Sequence, residues 1–589
     1  MIVTMNMLST YSVGSSYLKS VSRRRVQAFV CRRQSPGRVS DVVTTISSGR
    51  VPTFSSEASH GGRRWKSTGA SASTAAMTPD HVVKSNEKQK TNKETPSGPS
   101  PPGPSKLDCV RSLVQGDFGN TAYLKQLRLD YGDVVSTWGF QSIRHVFDPE
   151  IFMSILRQEW SLPHGAAPHI WPFRVYYRHK SPDVFPMSML QGEEWRKPRH
   201  TIQTHMFSPQ AADSFQPGIN QVVEDAAEYL RKYDPCPEDF NQFLMNVSFE
   251  MLAQVLLDRR MGLVSIPTEK DDHSMADEHQ FVTSAVDSFH ALGVLLLKPE
   301  WSNLTLLRCL PVWNKFERNT DQVWDIGMRW LKEAEEAGSE VAFVNKLAGQ
   351  GKMERQERLV NLLTLLQAGV DTTSNSLAWT LYELAKRPEI QEKLRQELRQ
   401  ALEAEDGAYH RKHMSKLPYL KAVMREIQRF TPAAAGTLRR LPFDVQAGDY
   451  VLEEGSLIFW NQEPYSSDPE LLGGDPDEFV PERWLAAEEL SKRDDDLHPR
   501  RPVKVDGFDD VLAPAPILSH PLMTTAFSVG PRMCVGARIA QNEIHSVVAK
   551  LCYDFVFYLD PPDQKVERVQ KLLMTPDPAP RIRFDAIAK

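Results

Sequence analysis

No two cysteines in this chain stand as Cys-x-x-Cys. The six that are present (Cys31, Cys109, Cys236, Cys309, Cys534 and Cys552) are widely scattered, so neither a zinc site nor a disulfide framework is indicated, and a reducing compartment fits. Also missing is any run of about 18 apolar residues, which argues against a transmembrane anchor. Positive charge is not in excess: the formal net charge is −5, and this slightly acidic balance argues against a nucleic-acid partner. Internal repeats are absent as well. What remains is a 589-residue chain of ordinary globular composition, 41% apolar and 25% charged. It is long enough for several small domains, or for one large α-rich domain behind a leader.

Acidic residues are absent before Asp41, while Lys19, Arg23, Arg24, Arg25, Arg32, Arg33 and Arg38 precede it and Ser and Thr are abundant through Ala76. Basic, hydroxyl-rich and acid-poor, residues 1–79 read as an organellar transit peptide, disordered in itself; a disordered basic tail and a plastid leader share that composition. Residues 80–106 form a Lys/Pro/Ser-rich linker that ends Pro-Ser-Gly-Pro-Ser-Pro-Pro-Gly-Pro-Ser. It has no apolar face to bury and is expected to be extended. Residues 107–589 are then the globular region.

The densest signal is Phe527-Ser-Val-Gly-Pro-Arg-Met-Cys-Val-Gly536. It sets Cys534 behind a glycine-punctuated loop and at the start of an apolar helical pattern, Ala537 to Leu551. A helix start offers unpaired N–H groups and partial positive charge, which favour a thiolate. Gly530 and Gly536 permit close backbone approach to a flat ligand or to the sulfur. Arg532 is placed to pair with a carboxylate on the ligand's edge. A lone cysteine in this position is more often a buried structural thiol. The full set of residues suits an axial thiolate on haem iron, which favours O–O cleavage.

That spacing resembles the haem-binding loop, FxxGxRxCxG, of the cytochrome P-450 superfamily, with matches at Phe527, Gly530, Arg532, Cys534 and Gly536. Four further segments resemble the same family in its order, and together they cover about residues 100–589. Leu359 to Lys386 reads as one long apolar helix interrupted by Ala368-Gly369 and Asp371-Thr372-Thr373. Glycine costs about 1 kcal/mol against alanine there, which a notch beside a ligand would justify. The segment resembles the I helix, which implies that Thr372 serves the oxygen-binding face and that Asp371 relays protons. Glu426 and Arg429 share one helical face at i, i+3. Most such pairs are solvated and contribute little, but this one resembles the ExxR of the K helix, with Arg483 of Phe479-Val-Pro-Glu-Arg-Trp as its downstream partner, a structural network. Trp195 and Arg199 resemble the WxxxR of the C helix. Arg439, beside Arg440, matches a further cation, so that Trp195, Arg199, Arg439 and Arg532 would meet the haem propionates.

The resemblance implies a mainly α fold with a smaller β-rich region: a triangular helical domain with haem b between the I and L helices. It implies a monooxygenase that places one atom of O2 into a lipophilic substrate, sterol-, steroid- or secosteroid-like by analogy. Lys421 and Arg425 form a basic pair at i, i+4 on the K helix, where an ordinary solvated face is the plainer account. They resemble the ferredoxin-docking residues of the mitochondrial branch, which implies electrons from NADPH through a reductase and an acidic 2Fe-2S ferredoxin. That branch implies a mitochondrial location, peripheral on the inner membrane. The apolar stretch Phe289 to Pro299 is then either a monotopic membrane patch or a buried helix end. Between Trp484 and Phe527 the chain is longer than the family needs, and a surface loop is expected there. Two other classes remain open: a peroxide-rearranging haem-thiolate enzyme that takes no external electrons, and a non-enzymatic haem sensor. The Asp371-Thr372 pair counts against both.

Overall fold

The computed structural model describes residues 98–588 except 116–119, 139–141, 160–162, 166–169, 207, 267–275, 297–309, 435, 473, 493–502, 505–510, 513–517, 519, 524–525 and 571. The leader and most of the linker lie outside the described residues. The described linker residues 98–105 have no helix or strand, and Lys106 opens a helix (Lys106–Gln115), but the segment is not idle. Pro102 O accepts from Ser136 N at 2.7 Å and Pro99 O from Val451 N at 3.1 Å. A Cβ on Gly103 would stand 1.8 Å from Ser136 O, so only glycine allows this approach. A proline-rich segment has carbonyls to offer and few N–H groups, which suits it to covering a sheet edge.

The helices that frame the site are α1 (Pro149–Glu159), α2 (Trp171–Lys180), α3 (Gly192–Met206), α4 (Phe240–Leu257), α5 (Ala276–Leu296), α6 (Pro311–Ala337), α7 (Arg355–Ala385), α8 (Pro418–Phe430) and α9 (Ala537–Asp554). The 31-residue α7 is roughly 46 Å long and packs against α4, α5, α6, α8 and α9. Leu359, Leu362, Leu363, Leu366 and Val370 are buried along it, with Leu377, Leu381 and Leu384. It stops at Ala385, and Arg387, before Pro388, leaves helical backbone (φ −131°, ψ 79°) as the N-cap of the following helix Pro388–Leu402. Gly369 is kept in this helix by α4: an added Cβ would lie 2.6 Å from Leu252 Cδ2.

A five-stranded sheet flanks the helices, made of β1 (Val134–Thr137), β2 (Ile143–Val146), β3 (His164–Gly165), β4 (Gly436–Arg440) and β5 (Leu457–Asn461) in the order β1-β2-β5-β4-β3. β2 and β5 run parallel and the other pairs antiparallel. The register sets Arg439 opposite both Ile458 and Gly165. Alternation along β4 sends Leu438 and Arg439 to opposite faces. The chain is thus mainly helical with a small β region, as expected.

Two local expectations need adjustment. The segment after Trp484 is not all loop: helix Glu482–Lys492 continues through it, and Val503–Lys504 pairs with Val511–Leu512. Its remaining residues up to 510, including the acidic run from 494, lie outside the described residues. Of the apolar stretch starting at Phe289, the part up to Leu296 is helical in α5. Ala291, Leu292 and Leu295 are buried and Val294 is 45% exposed. Among the described residues no helix is long and apolar enough to cross a membrane.

Candidate functional site

Ser528 (φ +62°) and Gly530 (φ +80°) both take left-handed backbone, which folds the cysteine loop back on itself. Cys534 N then donates to Phe527 O at 2.9 Å and Met533 N to Gly530 O at 3.1 Å. Gly536 precedes α9 without a side-chain cap, so the first N–H groups of the helix are free for another acceptor. The backbone N–H groups of Gly536 and Ala537 donate to the Cys534 sulfur. Burial raises the thiol pKa, while these donors and the Arg199 charge pull it down. Cys534 nevertheless keeps accessible surface. A sulfur that is enclosed enough to be desolvated, yet still reachable, faces a cleft within the protein and not open water. A Cβ on Gly536 would be 4.0 Å from the sulfur, an ordinary contact, so the sulfur itself does not require glycine here, contrary to the sequence expectation.

Three arginines converge beside the loop. Arg199, on α3, donates from Nη1 to Met533 O at 2.8 Å and from Nε to Gln203 Oε1 at 2.8 Å. Arg532 donates to Pro163 O, Leu190 O and Gln191 Oε1 at 2.8–3.1 Å, and its guanidinium lies 4.1 Å from the Trp195 ring centroid. Trp195 therefore acts here as a platform for Arg532. Arg439 donates to Leu438 O and Ser528 Oγ, and its Nε is buried without a hydrogen-bond partner. Burial lowers the pKa of Arg532 to about 9, and repulsion by Arg439 and Arg199 adds to this. Burial likewise lowers Arg199 to about 10 and depresses Arg439. Buried cations held together in this way call for anions. Arg440, the other cation weighed from sequence, lies next on β4 and is half-buried.

On α7, Thr372 is exposed although Val370, Asp371, Thr373, Ser374 and Asn375 around it are all buried. Ala368 and Ser376, one turn to either side, are partly accessible, so an open stripe runs along an otherwise packed helix. Thr372 Oγ1 donates to Ala368 O at 3.0 Å, a back-bond that also bends helices. Asp371 is 3% exposed and accepts from Asn375 Nδ2 at 2.8 Å. Gly369 departs from the ligand-notch reading: its bare face is pressed on Leu252, so its size serves the approach of α4.

Glu426 is wholly buried and fully engaged. Arg429 donates to it at 3.0 and 2.7 Å, Val480 N at 3.0 Å and Trp484 Nε1 at 2.8 Å. Arg483 Nε lies 3.2 Å from Glu426 Oε1. Arg429 and Arg483 also donate to the Glu478 carbonyl. Glu426, Arg429 and Arg483 are thus together, and Trp484 is a fourth member that sequence reasoning missed; its place one residue after Arg483 was the available signal. On the same helix Lys421 and Arg425 are half-buried, with the Arg425 guanidinium 6.0 Å from the Trp484 ring centroid. Two other residues went unnoticed because nothing in their spacing marks them: Glu159 near Arg439, and Glu543 of α9, whose Oε2 lies 3.5 Å from Thr373 Oγ1.

The side chains fit haem b. A reachable sulfur backed by two N–H donors matches an axial thiolate, and an unpartnered Arg439 Nε among three depressed arginines matches a ligand with two carboxylates. Among known families, the Cytochrome P450 family model matches residues 101–583. The chain is 26% identical to "Probable cytochrome P450 12d1 proximal, mitochondrial" of Drosophila melanogaster, over 77% of this chain and 85% of that protein. It is 25% identical to the mouse "25-hydroxyvitamin D-1 alpha hydroxylase, mitochondrial", over 82% and 92% of the two chains. A third relative is the rabbit "Sterol 26-hydroxylase, mitochondrial", 25% identical over 80% and 85%. A family match across the whole helical domain, joined to a thiolate loop and an arginine cluster that haem b satisfies, establishes that this chain belongs to the cytochrome P-450 family of haem-thiolate monooxygenases.

Proposed function

We propose that this monooxygenase is a mitochondrial enzyme that hydroxylates a lipophilic, polycyclic substrate and receives electrons from NADPH through a ferredoxin reductase and a 2Fe-2S ferredoxin. The observation that supports the substrate class is an aromatic core cluster two turns up α7 from Thr372, buried around Trp171, Trp313 and Phe316. There Tyr177 Oη and Thr364 Oγ1 are 3.5 Å apart, and Thr364 precedes Thr372 by eight residues, roughly 12 Å of helix. Trp171 of α2 stacks on Trp313 of α6 at 5.9 Å and 7°, and Phe173 meets Phe289 and Phe316 edge-on. Rings from three helices favour a rigid apolar body over a charged one. The vitamin D and sterol hydroxylases among the relatives agree with this reading.

Bound haem supplies the activation of dioxygen that lets one oxygen atom enter a C–H bond. The protein's part is to hold charge and protons. Cys534 supplies the thiolate, with the N–H groups of Gly536 and Ala537 directed at its sulfur. Thr372 spends its hydroxyl proton on Ala368 O, which leaves its oxygen lone pairs free to accept from a water on the open stripe. Asp371, fixed by Asn375, is the adjacent carboxylate through which protons reach that face.

Lys421 and Arg425 support docking of an acidic ferredoxin, and the acid-poor leader and the names of the relatives support the mitochondrion. Val294 supports a shallow apolar contact with the inner membrane. Reconstitution tests the whole: NADPH, reductase and ferredoxin should drive hydroxylation of a sterol or secosteroid that also perturbs the ferric spin state. Turnover of lipid peroxides without any electron donor, and none with ferredoxin, would mean a rearranging enzyme. A carbon monoxide adduct without a thiolate-type red shift would remove the assignment altogether.

A further inference from the structure

Glu159 is the last residue of α1, where the helix end disfavours a negative charge. It is 1% exposed, and neither carboxyl oxygen has a hydrogen-bond partner among the described residues. Its nearest cation is Arg439, with Nε 3.5 Å from Oε1. That distance gives attraction without a hydrogen bond, and the same Arg439 Nε is itself unpartnered. Arg532 is the second charge acting on Glu159. The other charged or titratable groups near the cluster are Arg199, which repels Arg532, and His164 of β3, whose pKa is lowered by burial and by Arg532 and Arg440. Among the described residues, three guanidiniums thus have one internal carboxylate, hydrogen-bonded to none of them. A residue kept only to neutralise arginines would sit in bidentate contact. This one is placed to give way to another acceptor.

We propose that Glu159 is a positioning residue for the haem-side arginines: it is their internal counter-ion, and it yields Arg439 and Arg532 to the two carboxylates of haem while taking up one proton from solvent. The proton balances the exchange, since two anionic groups enter and one buried anion becomes neutral. Burial already raises the Glu159 pKa to about 7 against the pull of both arginines, so desolvation outweighs attraction before any further anion arrives. Entry of carboxylates beside it raises that value again. Haem retention is then independent of pH while the carboxyl is protonated in both states, and weakens as pH rises above about 7.

The experiment follows haem transfer from the intact ferric holoenzyme to excess apomyoglobin as pH is raised from about 6.5 to about 8, a range in which Arg532, with a pKa of about 9, and Arg199, of about 10, stay mostly protonated. Wild type should lose haem progressively faster, by up to about tenfold per pH unit. Glu159→Gln should lose haem slowly, with little slope, and Glu159→Asp should restore the slope. Iron–thiolate ligation contributes equally to these proteins and cancels in the comparison. Infrared difference spectra of the holoenzyme should contain a protonated carboxyl band that Glu159→Gln lacks. An unchanged slope in Glu159→Gln, faster haem loss at every pH, or absence of that band overturns the proposal. Transfer of the slope's loss to His164→Gln would assign the titration to the histidine and overturn it equally.

Discussion

Trp484 Nε1 donates to Glu426 Oε2 at 2.8 Å, which ties the start of helix Glu482–Lys492 to α8. With Arg429, Arg483 and Val480 N, it completes the bonding of a carboxylate that has no access to water. Burial of a charge is tolerated only under such full satisfaction. Glu426→Ala should therefore leave two buried arginines uncompensated, at a cost of about 3–5 kcal/mol. Trp484→Phe removes one bond to a charged acceptor, about 1.5–3 kcal/mol. Denaturant unfolding followed by far-ultraviolet dichroism should give this order; equal losses, or a neutral Glu426→Ala, would show that the network contributes little.

Gly369 gives a test of helix packing apart from chemistry. Gly369→Ala gains about 1 kcal/mol of helix propensity but drives a Cβ onto Leu252 Cδ2, 2.6 Å away, an overpacking that costs about 1–3 kcal/mol. The net change should be a loss, and Leu252→Ala in the same chain should reverse its sign. Additive single and double variants in thermal unfolding would refute the contact.

Charge reversal at Lys421 and Arg425 should slow ferredoxin-supported turnover roughly tenfold at low salt, with the gap closing as salt is added. Peroxide-supported turnover should be unchanged, since that route takes no electrons from ferredoxin. Equal loss by both routes would point to damage of the neighbouring Glu426 network.

Glu543 predicts a pH dependence of stability. Burial raises its folded-state pKa to about 8, and Thr373 offsets this only weakly. The ordinary value lies lower, so between about 4.5 and 8 the folded state holds a proton that the unfolded state releases. Stability should fall through that window by up to about 1.4 kcal/mol per pH unit. Glu543→Gln should flatten the slope, matching wild type near pH 4.5 and exceeding it near pH 8. Chemical denaturation at the two ends of the window decides, and identical slopes would place Glu543 in contact with an unrecognised partner.

How far the sequence carried depended on distance along the chain. The cysteine loop was legible because glycine and cysteine at fixed local spacing leave one backbone path, which Ser528 and Gly530 take with positive φ. Glu426 and Arg429 were legible because three residues are almost one helical turn. Asp371 and Thr372 were placed correctly on one long helix, while Gly369 was not given its role, since its neighbour Leu252 belongs to another helix and only the rotation of α7 decides which of its faces meets it.

Sequence alone thus determined the cysteine loop, the long helix with its hydroxyl and carboxylate, the paired Glu426 and Arg429, and the helical class of the fold, because each follows from local geometry. Tertiary structure alone decided the charge balance beside the cysteine loop, the satisfaction of Glu426 by Trp484, and the placement of Glu159 and Glu543. These depend on burial and on partners brought together from distant segments, and the free energy of a buried charge is set by its surroundings, not by its neighbours in the chain.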